Sequence, residues 1–231
     1  MKTIGLIGGM SWESTVTYYQ IINTVVKERL GGLHSARCIL YSVEFDEIER
    51  CQSSGDWERA GAILAGAAAG LERAGADFIV ICTNTMHKVA GQVRSAVSVP
   101  LLHIAQVTAE ELRRQGVERV ALLGTRYTME QDFYKSVLTD SGIEVLIPGE
   151  EARALVNAVI FDELCRGVIA QDSRRAFLDI IAELAGRGAQ GVILGCTEIG
   201  LLVRQEDTPV PLFDTTRLHA VRAALDALEG E

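Results

Sequence analysis

Two short stretches carry reactive side chains immediately after apolar runs. Gly195-Cys196-Thr197-Glu198 follows Val192-Ile193-Leu194, and Thr83-Asn84-Thr85 follows Phe78-Ile79-Val80-Ile81-Cys82. A residue just after a strand and at the start of a helix meets free backbone N–H groups and a partial positive charge. That setting lowers a thiol from its ordinary pKa of about 8.5 and favours the thiolate. It also offers a carboxylate a place to bind. Cys196 therefore stands where a base or nucleophile would stand; the alternative is a small residue filling a tight strand–helix corner. Thr83 by itself reads as a helix N-cap. Two such corners facing each other would place one side chain on each face of a bound molecule. This suits inversion at a carbon, with one group removing a proton and the other delivering one from the opposite side. No cofactor is needed, provided backbone N–H groups stabilise the charge developing on a substrate carboxylate.

The elements that must position these residues alternate along the chain. Short apolar segments at 4–7, 38–43, 78–82, 99–102, 120–123, 144–147, 192–194 and 210–213 read as strands. Helices are expected at 14–28, 56–73, 85–96, 107–115, 129–141 and 216–229, with two more between 151 and 186. Such alternation means βαβ units, an α/β fold and open parallel sheets. The continuous apolar run 78–82 suits a parallel strand buried on both faces.

The two halves look like copies. Gly75-Ala76-Asp77-Phe78-Ile79-Val80-Ile81 matches Gly188-Ala189-Gln190-Gly191-Val192-Ile193-Leu194, which lies 113 positions on. Ile4-Gly5-Leu6-Ile7-Gly8 matches Val120-Ala121-Leu122-Leu123-Gly124, and Val99-Pro100-Leu101-Leu102-His103 matches Val210-Pro211-Leu212-Phe213-Asp214, at nearly the same offset. Two homologous α/β domains are expected, one from residues 1–98 with 215–231 and one from 99–214. Ligands of open α/β sheets bind outside the carboxyl ends of the strands, and small-molecule pockets gather at domain interfaces.

The strand ends are therefore the places to read, and under the repeat Thr83 and Cys196 are equivalent. Side chains alternate along a strand, so Cys82 should point into the core. Met10 and Ser11 should line a pocket floor. Thr125, the counterpart of Gly9, could offer a donor to a carboxylate, with helix capping as the alternative, and Glu198 could hold an ammonium group, with a favourable acid in a first helical turn as the alternative. His87 reads as a packing residue, and the equivalent strand-end residues His103 and Asp214 could tune the site. Arg126 and Arg166 are candidates for a distal carboxylate.

Composition excludes several classes. The chain has 231 residues, 48% apolar and 23% charged, which is ordinary for a folded domain pair. A net charge of −9 without a basic cluster argues against nucleic acid and anionic membranes as partners. No apolar run reaches the roughly 18 residues of a membrane span, and the first residues read as a strand rather than an export signal. A cytoplasmic location is the expectation. Five cysteines without CxxC spacing fit neither a disulfide framework nor a metal site. There is no GxGxxG or GxxxxGK[ST] string, so no nucleotide is implied. No lysine sits at a strand end, which argues against a Schiff base.

Taken together, Gly8-Gly9-Met10-Ser11-Trp12-Glu13-Ser14-Thr15, Asn84-Thr85-Met86-His87 and Leu194-Gly195-Cys196-Thr197-Glu198-Ile199 resemble the aspartate/glutamate racemase family. The resemblance covers essentially the whole chain. It implies two domains related by a pseudo-twofold, an active site in the cleft between them, and an amino-acid substrate racemised without pyridoxal phosphate, metal or other cofactor. It implies substrate contacts from Gln52, Asn84, Thr85 and Thr197, and homodimerisation is common in the family. The family's catalytic pair is usually two cysteines; here the first position is Thr83. A threonine hydroxyl is too weak an acid to rest as an alkoxide, but it can protonate a strongly basic carbanion. The resemblance therefore implies an enzyme acting on L-aspartate or L-glutamate, with Cys196 removing Cα–H and Thr83 reprotonating the other face. Glu198-Ile199 after Gly195-Cys196-Thr197 favours the aspartate/glutamate branch over cell-wall glutamate racemases. Alternatives are a single-thiol decarboxylase or isomerase of small dicarboxylic acids, and a non-catalytic amino-acid binder.

Overall fold

A computed structural model of the chain describes residues 1–229. It divides into two compact units, Met1–Ile104 with the segment from His219 on, and Ala105–Leu218.

In the first unit, β1 (Ile4–Gly8), β2 (Cys38–Ser42), β3 (Phe78–Ile81) and β4 (Leu101–Leu102) form one sheet in the order β2-β1-β3-β4, all pairs parallel. Every residue of β1 and β3 is buried, as expected for central strands covered on both faces. One face (Ile4, Leu6, Phe78, Val80) packs on α1 (Trp12–Leu30) and α11 (Thr215–Leu228) through Tyr18, Ile22, Val26, Ala220, Ala223 and Ala224. The other face (Ile7, Ile79, Ile81) packs on α2 (Phe45–Ser54) and α3 (Trp57–Arg73) through Ile48, Leu64, Ala67 and Leu71. Cys82 lies in the first of these clusters and is buried, as strand alternation required.

The second unit repeats the plan. β5 (Arg119–Gly124), β6 (Glu144–Leu146), β7 (Val192–Gly195) and β8 (Leu212–Asp214) run parallel in the order β6-β5-β7-β8. Ala121, Leu123, Val192 and Leu194 pack with Phe177, Ile181 and Leu184 of α9 (Gln171–Gly186). The repeat extends to single hydrogen bonds. Ile79 N–H donates to Pro100 C=O at 2.8 Å, and Val192 N–H donates to Pro211 C=O at 2.8 Å. Gly75 and Gly188 both sit at φ +97°, just before matching strands.

Several expectations change. Leu101–Leu102 pairs with β3, so residues 99–104 join the first unit rather than the expected 99–214 domain. Helix α2 has no counterpart among the expected helices. The expected helix 85–96 is a 3₁₀ segment, Thr85–Val89, followed by α4 (Ala90–Ala96). The expected helix 129–141 is broken at Gln131, which is extended (φ −88°, ψ 157°), into α6 (Arg126–Glu130) and α7 (Asp132–Thr139). α5 (Ile104–Arg114), α8 (Glu150–Ala158) and α10 (Ile199–Leu202) are further helices of the chain.

Candidate functional site

A parallel sheet whose third strand pairs on the far side of its first has a crevice at the carboxyl ends of those two strands. In the first unit that switch point lies between β1 and β3, and in the second between β5 and β7. Each unit thus presents one of the two expected corners.

In the first corner, the chain leaves β1 through Gly9 at φ +92°. A Cβ there would lie 2.2 Å from the Val43 carbonyl oxygen, so only glycine fits. Gly9 N–H donates to Thr15 Oγ1 at 2.9 Å. Ser11 is the N-cap of α1, its Oγ accepting from Ser14 N–H at 3.3 Å. Met10 is buried in the cluster with Val43 and Met86. Gln52, on the buried face of α2, sets its Nε2 against Met86 Sδ at 3.1 Å. Asn84 and Thr85 are buried at the start of the 3₁₀ segment, and Asn84 makes no side-chain cap bond there. Thr83 is partly exposed. Its carbonyl accepts from His87 Nδ1 at 2.8 Å. Buried around His87 are two further imidazoles, His103 and His219, with ring centroids 4.6 and 5.8 Å away. No signal in the sequence could unite residues so far apart in the chain.

In the second corner, Cys196 is buried and follows Gly195. Its thiol donates to Glu198 Oε2 at 3.0 Å, and Thr197 Oγ1 donates to the same oxygen at 2.5 Å. Thr125 caps α6, accepting from Thr128 N–H at 3.3 Å. Arg126 is an exposed residue, and Arg166 pairs at the surface with Asp162 at 3.6 Å.

The expectation of a lowered Cys196 thiol is corrected. Burial pushes this thiol well above its ordinary value, and the negative charge of Glu198 pushes it the same way. The helix that follows, α10, has four residues and too few aligned peptides to offset these effects. The resting group is a thiol hydrogen-bonded to a carboxylate. Replacing Glu198 with glutamine removes the charge, so the Cys196 thiol is expected to titrate at lower pH. The pH midpoint of iodoacetamide alkylation at Cys196, assigned by peptide mass spectrometry, checks this; an unchanged midpoint would remove Glu198 as a cause.

Among the described residues, no group of three or more His, Cys, Asp or Glu side chains could hold a metal ion. No helix among them is long and apolar enough to cross a membrane.

Comparison with known proteins returns the same architecture. The sequence model of the family described as Asp/Glu/Hydantoin racemase matches residues 7–223. A crystal structure of a Yersinia pestis protein assigned as an Asp/Glu racemase is 55% identical, with a TM-score of 0.94 over 99% of this chain and 100% of that one. The structure of an aspartate racemase homologue from Pyrococcus horikoshii OT3 is 38% identical, with a TM-score of 0.87 over 99% and 100% of the two chains. A broad specificity amino-acid racemase of Bacillus subtilis (strain 168) is 25% identical over 92% of each chain.

Proposed function

The chain belongs to the Asp/Glu/Hydantoin racemase family, and from that premise we propose that it is a cofactor-independent racemase of L-aspartate or L-glutamate. The observation that carries the reading is the Cys196 thiol held against the Glu198 carboxylate, at a position whose repeat equivalent is Thr83. Other support comes from the Yersinia pestis and Pyrococcus horikoshii relatives, described respectively as an Asp/Glu racemase and as an aspartate racemase homologue.

In this reading the thiol and the carboxylate share one proton. The substrate's α-ammonium lies beside the pair and stabilises its single negative charge, which stays on the pair when the proton moves from sulfur to oxygen. The thiol proton passes to Glu198, and the thiolate takes Cα–H from the L-substrate. The Thr83 hydroxyl gives its proton to the opposite face of the carbanion and regains one from water. Glu198 returns its proton to water, so the net change is inversion alone. Asn84, Thr85, Thr125 and Thr197, with neighbouring backbone N–H groups, stabilise the charge that develops on the α-carboxylate. Met10, Ser11 and Gln52 contribute the remaining substrate contacts. A threonine is a poor base, so the reverse direction is slow in initial rate, while the equilibrium between enantiomers stays at unity. Homodimerisation and action inside the cytoplasm are part of the same proposal.

The test is proton NMR of L-aspartate and L-glutamate in D₂O with the purified protein and no added cofactor. Loss of the Cα–H signal, with the D-enantiomer appearing on chiral chromatography, is expected for at least one substrate. Binding without exchange of either would overturn the racemase reading in favour of a binding protein.

A further inference from the structure

The mechanism leaves three buried imidazoles of the first unit unused, and hydrogen bonds fix the protonation of two of them, His219 and His87. His219 Nε2 lies 3.0 Å from the Leu102 carbonyl, which can only accept, so Nε2 carries the proton. Its Nδ1 then accepts from the Tyr18 hydroxyl at 2.9 Å. His87 has the opposite tautomer. Its Nε2 accepts from Ile104 N–H at 3.2 Å, and its Nδ1–H donates to the Thr83 carbonyl at 2.8 Å. His87 therefore bridges the strand-end residue Thr83 to Ile104, and His103 closes over it.

The second unit has no such bridge. Under the repeat, His87 corresponds to Gly200 and His103 to Asp214. A Cβ on Gly200 would already sit 3.2 Å from Asp214 Oδ2, so a carboxylate fills the space of the imidazole. The carbonyl of Cys196 is instead held by the backbone, accepting from Ile199 N–H at 3.2 Å. The two corners share a fold and differ in what pins the reactive residue: a peptide turn at Cys196, a side chain at Thr83.

We infer that His87 is a positioning residue that sets the Thr83 corner for proton delivery, acting through the Thr83 carbonyl. The inference rests on the proposed racemase reaction. A weakly acidic hydroxyl must meet the carbanion while it exists, and displacements of about 1 Å cost on the order of 10²-fold in such steps. Loosening the corner leaves proton removal by Cys196 intact and starves the opposite face. The thiol exchanges the abstracted proton for solvent deuterium through Glu198, and the carbanion is then quenched by the same thiol, giving deuterated L-substrate instead of inversion.

Two variants separate positioning from packing. In His87→Asn the amide nitrogen occupies the place of Nδ1 and can still donate to the Thr83 carbonyl. In His87→Gln the amide reaches the place of Nε2, keeping the Ile104 contact and losing that to Thr83. Starting from L-substrate in D₂O, His87→Gln is expected to raise the ratio of Cα–H exchange to inversion about 10-fold or more, and His87→Asn to stay near wild type. Equal ratios in both variants and wild type would overturn the inference. Side-chain ¹⁵N shifts of the resting wild-type protein give a readout without turnover. They should show protonated Nδ1 at His87 and protonated Nε2 at His219, and the other tautomer at His87 would overturn the inference whatever the substrate. Wild type that neither exchanges nor inverts, with the expected tautomers present, would instead fail the racemase reading, and the role of His87 with it.

Discussion

Replacing Cys196 with alanine is expected to lower Cα–H exchange of the L-substrate by about 10²–10⁴-fold, the usual contribution of a positioned acid or base. Replacing Thr83 with alanine is expected to leave exchange largely intact and to remove inversion by a similar factor. The asymmetry follows from chemistry. A thiol beside a carboxylate has an acceptor for its proton 3.0 Å away and can become the base, whereas a hydroxyl can only serve as the acid. Proton NMR in D₂O reads the first quantity and chiral chromatography the second, on the same samples. Equal loss of exchange in both variants would show that the two residues act as one unit and would contradict the division of labour. Thr83→Cys is expected to speed the reaction from the D-enantiomer, because a second thiol can rest as a base.

Acidification is expected to destabilise the first unit steeply between pH 6.5 and pH 4. Burial lowers His103 to about 4, with the positive charge of Arg94 on α4 acting in the same direction. Burial lowers His219 to about 3, opposed by its bond to the Leu102 carbonyl. His87 is also held well below its ordinary value, by burial first and then by its two imidazole neighbours. These folded-state values lie below the unfolded value of about 6.5, so at low pH the unfolded chain binds more protons. The stability is fully present above about 6.5 and is lost as pH falls toward the folded values. At pH 5 the loss is about 2 kcal/mol for each of His103 and His219, before any coupling between them. Urea unfolding at pH 7 and pH 5 measures the difference. His103 is the clean control, because its buried Nδ1 has no hydrogen-bond partner among the described residues. His103→Asn should shrink the pH effect by about 2 kcal/mol, and an unchanged effect would refute the assignment.

The parts of this molecule that were legible in the sequence are those governed by local period. Alternation along β3 put Cys82 in the core, and the repeat matched Thr83 to Cys196 in sheets of the same strand order. The rest depends on side chains whose reach is invisible in spacing. Helix α2 is capped by Glu44, whose carboxylate accepts from Asp46 and Glu47 N–H, and glutamate is not among the residues that announce a helix start. Glu198 reads as a favourable acid in a first turn until its carboxylate is found folded back onto the thiol, which reverses the expected direction of the Cys196 shift. The boundary at residue 99 failed because the fourth strand looks alike in both halves, and only pairing tells which sheet it joins.

The division of the chain also bears on the order of assembly. The second unit is one continuous stretch, whereas the first needs α11, whose alanines pack on β1 and β3 and whose Ala227 carbonyl receives Lys2 N–H at 2.8 Å. During synthesis the second unit can close by itself as soon as it emerges, while the half that was made earlier waits for the last turns of helix to arrive. Until then the face of its sheet that carries Ile4, Leu6 and Val80 has α1 but lacks α11. Closing so long a loop costs little more entropy than closing a short one, since the penalty grows only with the logarithm of length. The delay is therefore one of timing on the ribosome rather than of equilibrium stability, and it makes the older half of the nascent chain the one most exposed to aggregation.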